Sequence, residues 1–290
     1  MSISKKLDRV YKSAKRIALD DASRIIIMSD CHRGDGSGAD GYCKNQNIAY
    51  HALSHYYREG FTYIELGDGD ELWANRRFAS ITGAHGNTFE LLRRFYVASR
   101  LYLLYGNHDM VKRGKRWVDA NMAAFMRKNK RLPLFPNVPM HEGLVLTYKG
   151  RDMLLLHGHQ ADFLNDELWR VARFLVRYLW RPLELIGIRD PGNAQGSHEK
   201  KLKIEWALGD WASKKRTALI AGHTHRPMFA EEGEPPYFND GCMVHPRCIT
   251  ALEIEQGTIT LVKWSVKAHM DGALYISRSA LAGPRRLPLA

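Results

Sequence analysis

Short apolar runs recur along the chain, and five of them end in the same way. Arg24-Ile25-Ile26-Ile27-Met28 is a β-branched run that stops at Ser29-Asp30. That is the pattern of a buried strand running into a loop. Phe61–Leu66 ends at Gly67-Asp68, Leu101–Tyr105 at Gly106-Asn107, Met153–Leu156 at His157, and Thr217–Ile220 at Ala221-Gly222-His223. Helical periodicity fills the gaps between the early runs, at 44–59 and 88–99, and residues 2–19 read as a basic amphipathic helix. Cys248–Ile254 and Thr258–Trp264 flank Gln256-Gly257 and read as a hairpin. The pattern predicts an α/β chain whose strands present polar residues at their C-terminal ends, the rim where open α/β sheets bind ligands.

Two stretches depart from this rhythm. Residues 163–205 are a helical interruption between the fourth and fifth strands and are expected to cap the site. Within it Arg170, Arg173, Arg177 and Arg181 fall three, four and four apart, one stripe of a helix. Trp169, Val171, Phe174, Leu175, Tyr178, Leu179 and Trp180 occupy the positions between them. Such a helix suits an anionic membrane surface or a lipid-linked phosphorylated substrate, or else packs with its basic face in water; Pro182 ends or kinks it. Residues after about 270 read as a loose tail containing Pro284 and Pro288.

Length and composition narrow the picture. The 290 residues fit one domain with an insertion, and a hydrophobic fraction of 45% supports a packed core. The net charge of +12 favours anionic partners without choosing among nucleic acid, acidic lipid and phosphorylated small molecules. The four cysteines, Cys31, Cys43, Cys242 and Cys248, form no C-x-x-C pair and are expected to be reduced thiols. The basic start lacks the apolar core of a signal peptide, and no run reaches the roughly 18 apolar residues of a spanning helix. The expected location is cytoplasmic, with peripheral membrane contact admitted by the cap.

The rim residues are metal-ligand types. Asp30 and Asp68 offer carboxylates, Asn107 an amide oxygen, and His32, His157, His223 and His225 imidazole nitrogens. This donor mixture suits Mn, Fe, Zn or Co better than Mg or Ca. Seven candidates exceed the needs of one four-coordinate ion, whereas two ions about 3.5–4 Å apart, sharing a carboxylate, use them all.

These motifs carry a resemblance. Asp30-Cys31-His32, Gly67-Asp68 with Glu71, Gly106-Asn107-His108-Asp109, His157-Gly158-His159 and Gly222-His223-Thr224-His225, in this order, resemble the calcineurin-like metallophosphoesterase superfamily over residues 25–228. The resemblance implies a two-sheet β-sandwich flanked by helices, the last hairpin belonging to the second sheet. It implies that Asp30, His32 and His225 hold one divalent ion, that Asn107, His157 and His223 hold another, and that Asp68 bridges them, with manganese the first expectation. It also implies that a metal-activated hydroxide attacks a phosphoester, that His108 protonates the leaving oxygen, and that Asp109 orients the His108 ring. Among named branches the chain is similar to the UDP-2,3-diacylglucosamine pyrophosphatases, which also carry a basic helical insertion and a stretch like Asp68–Trp73. It departs from them at His108, where that branch tends to have arginine, and in the ending Gly241–Cys248.

Several neighbours stay open. Arg33 and Arg226 are candidates for binding substrate phosphate or for surface ion pairs. His159 is a candidate ligand neighbour, His85 and His245 are candidates for substrate contact, and Cys31 fills space between two ligands. The expected substrate is a small phosphodiester, phosphomonoester or pyrophosphate, nucleotide- or lipid-linked. A nuclease is the alternative that the positive charge allows, although no nucleic-acid module is recognisable. A non-catalytic scaffold is the third reading, and the filled ligand positions argue against it.

Overall fold

The computed structural model describes residues 1–185 and 196–287. Two sheets face each other. The first runs β1 (Lys15–Leu19), β8 (Gly143–Tyr148), β9 (Arg151–Leu156), β10 (Ala218–Ala221), β11 (Tyr237–Asn239). The second runs β14 (Leu274–Arg286), β13 (Thr258–Ala268), β12 (Cys248–Glu255), β2 (Ile25–Met28), β3 (Thr62–Leu66), β4 (Leu101–Leu104), β7 (Met140–His141). β5 (Ala124–Arg127) and β6 (Lys130–Pro133) form a separate hairpin. β2, β3 and β4 are parallel neighbours, as are β9 and β10.

Side-chain alternation explains the layers. In β2, Ile25 and Ile27 enter the core between the sheets with Ile64, Leu66, Leu146, Leu155 and Ile220. Ile26 and Met28 point the other way, into a core shared with the helices Gln46–Arg58 and Gly86–Val97. Because both faces are covered, the strand reads as a continuous apolar run. The far face of the first sheet packs on the helices Ile3–Ser13 and Gly196–Lys215 through Leu7, Val10, Leu208 and Trp211. The fold is the expected two-sheet sandwich flanked by helices. The hairpin turn at Gln256-Gly257 has positive φ at both residues, 51° and 66°, as a tight two-residue turn requires.

Two expectations are corrected. The N-terminal helix stops at Ser13, because Ala14 is extended and Lys15–Leu19 pairs in parallel with β8. The segment after 270 is no loose tail: Leu274–Arg286 pairs antiparallel with β13. It forms the sheet edge, is mostly exposed, and so carries no hydrophobic signal in sequence. The cap is helical, as expected, and its described part comes in pieces: Phe163–Asp166, Trp169–Leu175, a π-helical turn Val176–Trp180, Arg181–Leu185 and the start of Gly196–Lys215. Pro182 withdraws one backbone donor, and a π turn immediately before it absorbs the mismatch. The cap's expected residues 186–195 and the tail's Pro288 lie outside the described residues.

The cap departs from an ordinary amphipathic surface helix around Arg177 and Arg181. Leu164, Leu168, Val171, Phe174, Leu175, Tyr178 and Leu179 are exposed. Arg177 instead reaches the body, donating from Nε to the Trp73 carbonyl and from Nη2 to the Leu72 carbonyl, both at 2.8 Å. Arg181 donates to the Ala74 carbonyl at 2.7 Å. No helix among the described residues is long and apolar enough to cross a membrane.

Candidate metal centre

Five of the seven candidate ligands sit in left-handed backbone: Asp30 (φ 50°), His32 (47°), Asp68 (49°), His223 (67°) and His225 (58°). Each such placement costs a non-glycine residue on the order of 1 kcal/mol or more. The strain falls where strands β2, β3 and β10 end, and it turns side chains off the sheet toward one point. Two glycines make room. A Cβ on Gly67 (φ 96°) would lie 2.7 Å from the His157 ring, and one on Gly222 would lie 2.6 Å from Asp30 Oδ2.

The side chains converge in two groups, Asp30 with His32 and His225, and Asp68 with His157 and His223. In the first, His225 Nε2 and His32 Nε2 lie 3.1 and 3.6 Å from Asp30 Oδ1 and 3.3 Å from each other. In the second, His157 Nε2 lies 3.2 Å from Asp68 Oδ2. The same Asp68 oxygen is 3.9 Å from His32 Nε2, so Asp68 stands between the groups. Its other oxygen accepts from the His108 amide at 2.8 Å, which places Asn107 alongside.

The second contacts of these rings fix which nitrogen faces the centre. His157 Nδ1 is 3.0 Å from the Leu66 carbonyl, and His32 Nδ1 is 3.1 Å from Glu71 Oε2, leaving Nε2 of each as a lone-pair donor. His223 Nε2 is 3.3 Å from Asp162 Oδ2, which leaves its Nδ1 free for the group. Asp30 Oδ1, Asn107 Oδ1 and His157 Nε2 are buried without a hydrogen-bond partner among the described residues. Buried polar atoms left unpaired are costly. Orphaned oxygens and a nitrogen aimed at one point are what divalent cations satisfy, so the donor set fits them.

His108 lies at the rim, with Nδ1 2.7 Å from Glu71 Oε2 and its ring stacked on Trp73 at 4.1 Å. Glu71 Oε1 accepts from the Trp73 and Ala74 amides. One carboxylate therefore ties His32, His108 and the 71–74 turn together. This corrects the role expected of Asp109, which faces away from the His108 ring. Asp109 accepts from the Gly106 amide at 2.7 Å and from Lys112 Nζ at 2.6 Å, fixing the loop rather than the imidazole. Glu71 was visible as the last residue of its motif but had no assigned task; its offset of three from Asp68 was the signal. Asp162, which also caps the turn Phe163–Asp166 and pairs with Lys200 at 2.7 Å, gave no signal in sequence.

Arg33 is likewise corrected. It is 2% exposed and meets Glu65 through both terminal nitrogens and Asp70 through Nε, so its guanidinium is spent inside the body. Lys112 extends this buried network to Asp70 and Asp109. Arg226 Nη1 lies 3.3 Å from the buried Glu205, the ion-pair alternative of the two held open for it. His85 is buried and paired with Asp40 at 2.7 Å, and His245 Nε2 is 2.8 Å from the His225 carbonyl. His159 is buried beside His157, outside both groups. Cys31 is fully buried, as a space-filler would be.

Electrostatics follow from this crowding. Burial opposes ionisation of Asp30 and Asp68, yet the histidines around them outweigh it and hold both carboxyls well below the usual range. Burial also disfavours protonated His157, but Asp68 and Asp30 dominate and push its pKa up to about 9. Burial and the neighbouring His157 and His223 drive His159 well below its ordinary value. Asp240 moves the other way: desolvation and the nearby Asp30 raise its carboxyl well above the usual range.

Comparison with known proteins places this geometry. A Streptococcus pneumoniae protein described as a predicted phosphoesterase is similar at 15% identity and a TM-score of 0.37, over 89% of this chain and 97% of its own. Vps29 of Chaetomium thermophilum is similar at 11% identity and a TM-score of 0.43, over 90% of this chain and 97% of its own. No curated protein matches the chain. The calcineurin-like phosphoesterase family model matches residues 23–227, which span every ligand motif from Asp30 to His225, and the chain belongs to that family.

Proposed function

We propose that the protein is a binuclear hydrolase of phosphoester bonds. The reading is carried by one observation: two ligand groups with Asp68 between them, holding buried donor atoms that have no other partner. Asp30, His32 and His225 would hold one ion, Asn107, His157 and His223 the other, and Asp68 both. Bound there, divalent ions, manganese foremost, supply Lewis acidity that makes water a better nucleophile and neutralises charge on the phosphoryl oxygens.

The chain's own residues supply the rest. His108 would meet a leaving-group oxygen and give it a proton, and its 22% exposure at the rim supports that role. Glu71 aims that ring through Nδ1, and Trp73 stacks against it. The substrate is a small phosphodiester, phosphomonoester or pyrophosphate. The exposed apolar face of the cap supports a lipid-linked substrate, met at an anionic membrane surface on the cytoplasmic side. The test is a hydrolysis screen with manganese-loaded protein on a phosphodiester, a phosphomonoester, a UDP-linked sugar and a single-stranded oligonucleotide. Turnover of one of the first three, lost in Asp68→Ala, supports the reading. Preference for the oligonucleotide would replace it with a nuclease.

A further inference from the structure

The seam between cap and body holds a cavity of about 460 Å³ that the metal centre does not use. Among the described residues lining it, four are arginines, Arg76, Arg77, Arg177 and Arg181, and one, Asp35, is acidic. Arg181 pairs with Asp35. Arg177 is met by two backbone carbonyls, and Arg76 by the Tyr178 hydroxyl at 2.7 Å. Carbonyls and a phenol satisfy N–H donors without neutralising charge.

A basic patch is usually only a solvated face. Here the helix that carries Arg177 and Arg181 turns those cations inward, to partial burial, while Val171, Phe174 and Leu179 are exposed. Leaving apolar groups out so as to gather cations costs free energy twice, through lost burial and through repulsion. Burial, Arg173, Arg76 and Arg181 together lower the pKa of Arg177 from the usual arginine range. An anion in the cavity relieves that repulsion. Guanidinium forks match phosphate oxygens, and the volume is that of a small-ligand site.

We infer that this seam is a second binding site, for a phosphate group, separate from the metal centre. The phosphate belongs either to a second phosphorylated position of the substrate or to a separate small phosphorylated molecule. Only the first role rests on the hydrolase reading. Occupancy would tighten the cap on Leu72–Ala74, the turn that carries Trp73 onto His108.

Equilibrium dialysis of radiolabelled inorganic phosphate against manganese-loaded full-length chain tests this. Four proteins are compared: wild type, Asp68→Ala, Arg76→Gln/Arg77→Gln and the exposed control Lys128→Gln/Lys130→Gln. The expected result is two phosphates per wild-type chain, one in Asp68→Ala, one in the arginine variant and two in the control. If the metal reading alone fails, wild type and Asp68→Ala each bind one phosphate and the arginine variant none. The inference is overturned if the arginine variant binds as much phosphate as wild type, or if the lysine control loses as much as the arginine variant. At a substrate subsite the arginine variant raises KM about tenfold for a doubly phosphorylated substrate only; for a separate ligand it instead abolishes the effect of added phosphate on rate.

Discussion

The metal centre and the cap are incomplete in opposite senses. At the centre, Asp30 Oδ1, Asn107 Oδ1 and His157 Nε2 are buried with no hydrogen-bond partner among the described residues. On the cap, apolar side chains from Leu164 to Leu179 are exposed among the described residues. Each arrangement costs free energy in the isolated chain and is relieved by a different kind of partner, cations for the first and an apolar surface for the second. The two also differ in how they are built. The centre is nailed to strand ends and held by strained backbone. The cap is a broken helix joined to the body through arginine contacts with three carbonyls. The two regions thus differ in construction, strained strand ends at the centre and arginine-to-carbonyl contacts under the cap.

The comparison is broken most directly at its rigid side. Asp68→Ala removes the carboxylate between the groups, and metal-dependent turnover should fall by about three orders of magnitude or more; an active variant would show that the groups work independently. His108→Ala should lower turnover roughly 10²- to 10³-fold with metal content unchanged, and metal loss there would make His108 a ligand instead. Glu71→Gln should cost about 10- to 100-fold in metal affinity or turnover, because it weakens the partner of both His32 and His108.

Acidity sharpens the same side. The raised pKa of His157, about 9, means that its ion pairs stabilise the metal-free chain fully below the ordinary imidazole range and are lost as pH rises through about 9. Metal competes with that proton. Manganese affinity should therefore rise by roughly tenfold per pH unit from about 7 to 9 and then level off; titration at stepped pH reads this, and a flat profile would contradict the His157 assignment. The cap gives the smallest effect. Val171→Ser/Phe174→Ser should weaken flotation with anionic vesicles several-fold and leave hydrolysis of a small water-soluble ester unchanged. Equal flotation would remove the membrane from the account.

The sequence and the structure agree most where chemistry sits on regular elements. Strands ending in Asp, Gly-Asp, Gly-Asn and His were legible because a strand buried on both faces is a continuous apolar run and its stop is abrupt. Arg33 was misread because its position beside His32 says nothing about Glu65, 32 positions away, which claims both of its terminal nitrogens. Asp109 was misread for the same reason, since Lys112 takes the oxygen that a motif alone leaves free. β14 was missed because it is an exposed edge with little apolar alternation. The orientation of the cap was illegible in sequence. Periodicity shows that arginines share a stripe, and only tertiary contacts show that its C-terminal half, Arg177 and Arg181, reaches the body.

The central claim is that Asp68 joins two ion sites, and native mass spectrometry of manganese-loaded protein tests it. The account predicts two ions per wild-type chain and no more than one in Asp68→Ala. A wild-type chain that carries no ion, or an Asp68→Ala chain that keeps both, would contradict it.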